Sequence, residues 1–395
     1  MNTRRQFLTV AAAGAATFAA APLLAQATQP DTLTVPAQRA GLNMPPATLM
    51  PTLGETTGRP LPVNKAGKRF RPMTRLGLGG VAIGNAFAES TDEQSQATLA
   101  AAYAAGVRYF DTSPWYGLGL SERRFGHFLH TRKADDYVLS TKVGRLLTAT
   151  HKLPKTMWHN PSPFDYRYDY SAAGVRRSVE DSLQRLGVSQ IDIVFIHDLA
   201  PSNGDLGERW TEYFAQAVKG AMPELTKMRE EGLIKAWGMG VNDAEPALRC
   251  VAEADPDIFL LACQYSLLDH EKTLRDTFPK LAERDISVVV GSPLLAGYLA
   301  GRDRYLYRGT IPDWAPAKRE QVAAIAQAHG IDIRTAALQF AAAPDVVSAV
   351  IPGARTPEQA RANVASMSVA IPADFWSELK QQKLIAEDAP LPKPV

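Results

Sequence analysis

Between Arg75 and Ile351 the chain alternates short apolar runs, rich in Val, Ile and Leu, with longer stretches in which apolar residues recur at helical spacing. The apolar runs predict strands at 75–81, 106–111, 137–142, 191–197, 236–241, 257–263, 286–290 and 346–351. The periodic stretches predict helices at 93–105, 121–129 and 172–186, a long helical region ending at 231, a helix carrying Cys250, and helices at 318–328 and 334–342. Gly187 is placed to close the 172–186 helix in a left-handed conformation. Eight strand and helix units in this order predict an α/β fold, a (β/α)8 barrel forming one catalytic domain over 73–395 with a helical C-terminus.

That fold says where chemistry belongs, because barrel enzymes gather their active sites at the C-terminal ends of the strands. Asp111 ends the second predicted strand, Lys142 the third and His197 the fourth, and Tyr116 follows Asp111 in a loop turned by Pro114. Singly, each has a plain structural reading: a turn carboxylate, a surface lysine, a satisfied core histidine, a packing tyrosine. Their convergence on one rim favours catalysis. An ammonium beside a phenol is expected to lower the tyrosine from about 10 toward working pH, with the carboxylate fixing the lysine. A neutral imidazole at the same point can donate a hydrogen bond to a substrate oxygen. No Ser or Cys is paired with a base, and side chains cannot carry a hydride, so carbonyl and alcohol interconversion needs a cofactor.

Composition narrows the partners. The 395 residues are 46% hydrophobic and 21% charged with a net charge of +2 and no basic stripe, which gives no electrostatic basis for nucleic acid and points to a small molecule. The seven histidines are scattered and the only cysteines are Cys250 and Cys263, so no metal site is expected. Both cysteines are expected to stay free thiols, one on a helix and the other at a strand end. Residues 1–27 carry Arg4-Arg5, an Ala-rich apolar run broken by Pro22, and Ala25-Gln26-Ala27, the pattern of a twin-arginine signal peptide and not of a stable membrane anchor. The export machinery is then a partner and the periplasm the destination. Residues 28–72 hold eight prolines and no sustained period, predicting an extended arm.

The strand-end Asp111 with Tyr116, Lys142 and His197 resembles the tetrad of the aldo-keto reductases. Similar stretches follow at 140–145, at 177–187 and at 350–359 (Val350-Ile351-Pro352-Gly353-Ala354-Arg355 onward), so the likeness runs from Arg75 to the C-terminus. Within that family the motifs His197-Asp198, Gly240-Val241-Asn242 and Ile371-Pro372-Ala373-Asp374 are most similar to the branch of aldose 1-dehydrogenases, L-fucose dehydrogenase and pyridoxal 4-dehydrogenase. The resemblance implies a nicotinamide cofactor, NADP ahead of NAD, and oxidation of an aldose at C1. Reduction of aldehydes or ketones and a cofactor-bound regulatory subunit remain the alternatives. It also implies that Asn242 and Gln264 hold the carboxamide, that Gly80 and Val81 line the ring pocket, and that Ser292, Leu294 and Gly297 meet the pyrophosphate. Ala354, Arg355, Gln359 and Asn363 then fall at the adenosine end, where Arg355 suits a 2′-phosphate.

Overall fold

The computed structural model describes residues 60–64, 67–307 and 310–393, so the expected signal peptide and residues 28–59 of the arm lie outside the described residues. Eight parallel strands follow one another around a barrel: β1 (Leu78–Gly79), β2 (Tyr109–Asp111), β3 (Val138–Val143), β6 (Ile193–His197), β7 (Ala236–Val241), β8 (Ile258–Ala262), β9 (Ser287–Gly291) and β10 (Val347–Ile351). The seam between first and last is closed by the bridges Leu76 to Val350 and Gly79 to Gly353, with Gly77 donating its N–H to the Val350 carbonyl at 2.9 Å. A Cβ on Gly77 would stand 2.7 Å from the Tyr109 ring, so glycine is what lets the seam close around that side chain. The first strand is correspondingly shorter than the predicted 75–81, because Gly84 turns back to donate to the Gly80 carbonyl at 3.0 Å.

Both faces of the strands are covered, which is why they read as unbroken apolar runs and not as alternating ones. Tyr109, Val138, Ile193, Phe195, Ile258, Leu260 and Val289 fill the interior. Phe110, Leu139, Val194 and Ile196 pack outward against the helices. Burying each large aliphatic side chain contributes about 1.5–3 kcal/mol.

The helical layer consists of α1 (Asp92–Ala104), α2 (Leu120–Leu129), α3 (Ala172–Leu186), α4 (Trp210–Lys219), α5 (Ala221–Glu230), α6 (Ala244–Glu253), α7 (Phe278–Ala282), α8 (Ala315–Ala328), α9 (Ile333–Ala342), α10 (Pro357–Ser366) and α11 (Ala373–Gln381). Thr91 and Ser171 cap α1 and α3 by accepting from the backbone N–H three residues on, and Gly187 ends α3 at φ 64° as its sequence position requires. The long helical region predicted up to 231 is two helices, broken at Gly220, where a Cβ would lie 2.8 Å from the Tyr170 carbonyl oxygen. Cys250 is buried in α6 and Cys263 follows β8, both as free thiols.

Two features lie beyond the predicted pattern. An antiparallel hairpin, β4 (Arg145–Ala149) with β5 (Phe164–Tyr168), is inserted between β3 and α3 on the side of the strands' C-terminal ends. The described end of the arm, 60–64 and 67–72, docks under the opposite end of the barrel. There Asn64 donates to the Ser348 carbonyl at 2.7 Å, Arg69 meets Asp255 at 2.6 Å and Arg71 meets Asp285 at 2.9 Å.

Candidate active site

The period of two along each strand puts Tyr109 and Asp111, Ser140 and Lys142, and Phe195 and His197 on the interior face, the last of each pair at its upper end. Gly240, opposite His197 in the ladder, borders the lysine stem: a Cβ there would sit in ordinary contact, 3.5 Å from Lys142 Cε. Lys142 Nζ donates to Asp111 Oδ1 at 2.9 Å, to Oδ2 at 2.8 Å and to the Thr112 carbonyl at 2.8 Å. Ser140 Oγ adds a 2.7 Å hydrogen bond to Asp111 Oδ1, so the carboxylate is held from both sides. Tyr116 enters from the loop after β2, its ring 4.6 Å from Lys142 Nζ and edge-on to the His197 ring at 5.7 Å. Its hydroxyl has no hydrogen-bond partner among the described residues. The four side chains singled out in the sequence are thus one cluster, all lining the same cavity.

The electrostatics correct one expectation. Burial pushes Asp111 up and Lys142 down, each opposed by its attraction to the other, and the lysine's three N–H groups are all engaged. The Tyr116 phenol is therefore not drawn down toward working pH. Burial pushes it well above its ordinary value, and the negative charge of Asp111 raises it further, so it stands as a neutral proton donor. Burial likewise holds His197 well below its ordinary value, with Arg145 and Lys142 acting in the same direction, and the ring is uncharged.

The cavity has a volume of about 1180 Å³ and extends from this cluster across the barrel mouth to the loops after β9 and β10. Val81, Asn242, Gln264, Ser292, Leu294, Gly297, Arg355, Gln359 and Asn363 line it. Gly80 and Ala354 do not. A Cβ on Gly80 would lie 2.6 Å from the Asp111 carbonyl oxygen, and Ala354 is buried in the core beneath the surface of the cavity. Gln264 Nε2 donates to the Asn242 backbone carbonyl at 2.6 Å, which ties the Gln264 side chain to the end of β7. Ser292 Oγ donates to Tyr307 at 2.6 Å, and Gln359 Oε1 accepts from the Arg355 backbone N–H at 2.8 Å. At this end Arg302, Arg304 and Arg355 line the cavity, none with a carboxylate partner among the described residues. Burial and the like charges of its two neighbours lower the Arg304 guanidinium, so the group is short of an anion.

At the tetrad end several residues were carried in the sequence motifs without a role. Arg145 and Asp198 form a buried ion pair at 3.0 Å beside His197. Trp115, Trp158 and Tyr166 wall the cavity, with Trp115 packed edge-on against both the others. Asn203 and Asp205, from the loop after β6, are tied to the tyrosines of β5. The alternation Phe164, Tyr166, Tyr168 was the available signal for this wall, a period of two in a stretch between recognised elements.

The chain is 36% identical over 321 residues to D-threo-aldose 1-dehydrogenase of a Pseudomonas species, covering 78% of this chain and 94% of the relative. It is 34% identical over 337 residues to pyridoxal 4-dehydrogenase of Microbacterium luteolum, covering 81% and 97%. Among solved structures, an aldo-keto reductase from Bacillus halodurans in its holo form superposes with a TM-score of 0.61 at 22% identity, covering 85% of this chain and 99% of that one, a likeness of fold. Residues 75–383 match the family model described as the aldo/keto reductase family. A match of that extent, over a barrel of this order, means that the chain belongs to the aldo/keto reductase family of oxidoreductases.

Proposed function

We propose that the protein is an NAD(P)-dependent dehydrogenase that oxidises an aldose at C1 to its lactone, with NADP preferred to NAD. The observation that carries the reading is the Tyr116 hydroxyl, without a hydrogen-bond partner among the described residues and set beside a buried Lys142–Asp111 pair and a neutral His197. The three guanidiniums at the far end of the cavity, which have no carboxylate partner among the described residues, fit a cofactor bearing several phosphates, Arg355 being the candidate for a 2′-phosphate. Gln264 and Asn242 sit where they can hold a carboxamide. The cofactor, when bound, supplies the acceptor for the hydride that leaves C1. Tyr116, after releasing its own proton to solvent water in the cavity mouth, takes the proton of the C1 hydroxyl on its oxygen, and His197 orients the substrate oxygen by hydrogen bonding. Trp115, Trp158 and Tyr166 exclude water and offer ring faces to the C–H surface of a sugar, while Asn203 and Asp198 can receive its hydroxyls.

The neutral state of Tyr116 also favours a second reading, reduction of an aldehyde, for which a phenol ready to donate is the required form. Assay of the purified protein with NADP+ or NAD+ across a panel of aldoses, and with NADPH across a panel of aldehydes, separates them. Lactone formation is expected with aldoses; turnover confined to aldehyde reduction replaces the first reading with the second. Binding of nucleotide without turnover on either panel leaves only the regulatory subunit. The reading also includes export by the twin-arginine machinery, supported by Arg4-Arg5 and the apolar run after them. Replacing both arginines by lysine in the full chain is expected to trap it in the cytoplasmic fraction; unchanged fractionation rejects export by this route.

A further inference from the structure

We propose that Arg145 is a positioning residue that fixes the His197 imidazole with its proton on Nε2, the form able to donate a hydrogen bond to the substrate oxygen. The inference rests on the oxidoreductase reading above. Arg145 opens β4 directly after β3, through Gly144 at φ 114°, where a Cβ would lie 2.3 Å from the Tyr170 ring. The turn brings the guanidinium back over the barrel mouth, where it is buried. Its Nη1 donates to Asp198 Oδ2 at 3.0 Å, its Nε to the Tyr168 hydroxyl at 3.2 Å, and its plane covers Trp115 at 4.6 Å. A guanidinium so held has no freedom to swing away.

The same Nη1 faces His197 Nδ1 at 3.5 Å. A guanidinium carries only donors, so it can face a ring nitrogen only through that nitrogen's lone pair. Ser113 Oγ, 3.1 Å from Nδ1, accepts from the Trp115 N–H at 3.1 Å and keeps its own proton free to point at Nδ1, the arrangement that the fixed donor of Arg145 on the same nitrogen selects. Two donors therefore meet on Nδ1, and the ring's proton belongs to Nε2. Asp198 Oδ1 lies 3.5 Å from that nitrogen, while its other oxygen is engaged by Arg145. The groups facing the ring are thus Arg145 and Lys142 with positive charge, Asp198 with negative charge, and the uncharged Tyr116 and Ser113; Tyr170 donates to the His197 carbonyl at 3.1 Å. Without Arg145, one opposing positive charge is gone and an unshared carboxylate remains beside Nε2, so the imidazolium gains. An arginine that merely anchored the hairpin would leave the charge state of His197 alone.

The test has two independent readouts. Nitrogen-15 spectra of histidine-labelled protein report the tautomer without any turnover, so the result stands even if the aldose reading fails. The expected result is a proton on Nε2 of His197 in the unmutated protein and in Arg145→Lys, and a raised imidazole titration in Arg145→Met. In kinetics, Arg145→Met is expected to lose roughly tenfold or more in kcat at about pH 6 and to recover toward the unmutated value above about pH 8. Arg145→Lys, which keeps the charge and a donor, should keep the pH profile of the unmutated protein over that range. A proton on Nδ1 in the unmutated protein overturns the proposal, as does an Arg145→Met variant that loses the same factor at every pH. Should Arg145→Met fail to fold, the tautomer in the unmutated protein and in Arg145→Lys still decides.

Discussion

Lys142 Nζ stands 2.9 and 2.8 Å from the two oxygens of Asp111, with both side chains shut off from solvent. A pair buried this deeply is sensitive to losing one member, because the other is left charged without a partner. Asp111→Asn is therefore expected to lower stability by about 3–5 kcal/mol and to abolish turnover. The double variant Asp111→Asn with Lys142→Met should recover much of that stability and none of the activity. Denaturant midpoints beside kcat decide it; a double variant no more stable than the single one would show that the ammonium is not what strains the barrel.

This pair also shows how far the sequence could be read. Asp111, Lys142 and His197 were legible because a barrel strand's period of two and its C-terminal end together dictate both the face and the height of a side chain. The charge balance was not. Lys142 was expected to act on Tyr116, but whether an ammonium faces a phenol or a carboxylate is a matter of an ångström, which spacing along the chain does not encode. Arg145 and Asp198 were equally hidden, since their roles arise from a hairpin that folds back over the mouth. Its strands, Arg145–Ala149 and Phe164–Tyr168, pair across a connection far longer than a hairpin turn, so its prolines and Asn160-Pro161 read as loop and not as a hairpin. Family pattern implied cofactor contacts for Gly80 at the ring pocket and for Ala354 at the adenosine end. The close approach of the Asp111 carbonyl and the burial of Ala354 in the core put them behind the cavity surface.

Tyr116→Phe removes the proton-carrying atom and little else, since the hydroxyl supports no other described residue. A fall in kcat of about 10²–10⁴-fold is expected, with nucleotide affinity nearly intact. Because burial and Asp111 hold the phenol above its ordinary value, oxidation in the unmutated protein should become faster with rising pH and reduction should not. Stopped-flow traces in both directions check this; turnover of Tyr116→Phe within tenfold of the unmutated protein would sink the assignment.

Part of the acid sensitivity should come from a histidine far from the site, beside the share of His197 within it. The Ala386 N–H donates to His270 Nε2 at 3.1 Å, so the ring's proton lies on Nδ1 and goes to the Ser266 carbonyl at 3.0 Å. Burial between Tyr265 and Phe340 lowers the group from an ordinary 6.5 to about 4. As pH falls below about 6.5 the unfolded chain binds this proton and the native one does not. Stability is thus complete above that pH and declines until about pH 4, by on the order of 3 kcal/mol. His270→Gln should start less stable at pH 7 and lose less over the window. Parallel unfolding curves for the two proteins would clear His270 of the role.

On the proposed reading, nucleotide choice rests on Arg355, whose side chain has no carboxylate partner among the described residues. Arg355 lines the far end of the cavity, and its backbone N–H, not its side chain, is bound by Gln359. A 2′-phosphate there would gain a charge-assisted contact that the 2′-hydroxyl of NAD cannot make in full, worth about 1.5–3 kcal/mol for a hydrogen bond to a charged group. Arg355→Ala should accordingly raise the Kd for NADP about tenfold to a hundredfold and leave that for NAD within about threefold. Arg302 and Arg304 offer the contrast, because charges that meet a pyrophosphate serve both nucleotides alike. Arg302→Ala is expected to weaken the two in parallel. Fluorescence titration of each variant with each nucleotide measures the difference. Equal losses of NADP and NAD affinity in Arg355→Ala would place that arginine with the pyrophosphate group and leave the preference for NADP without a structural basis.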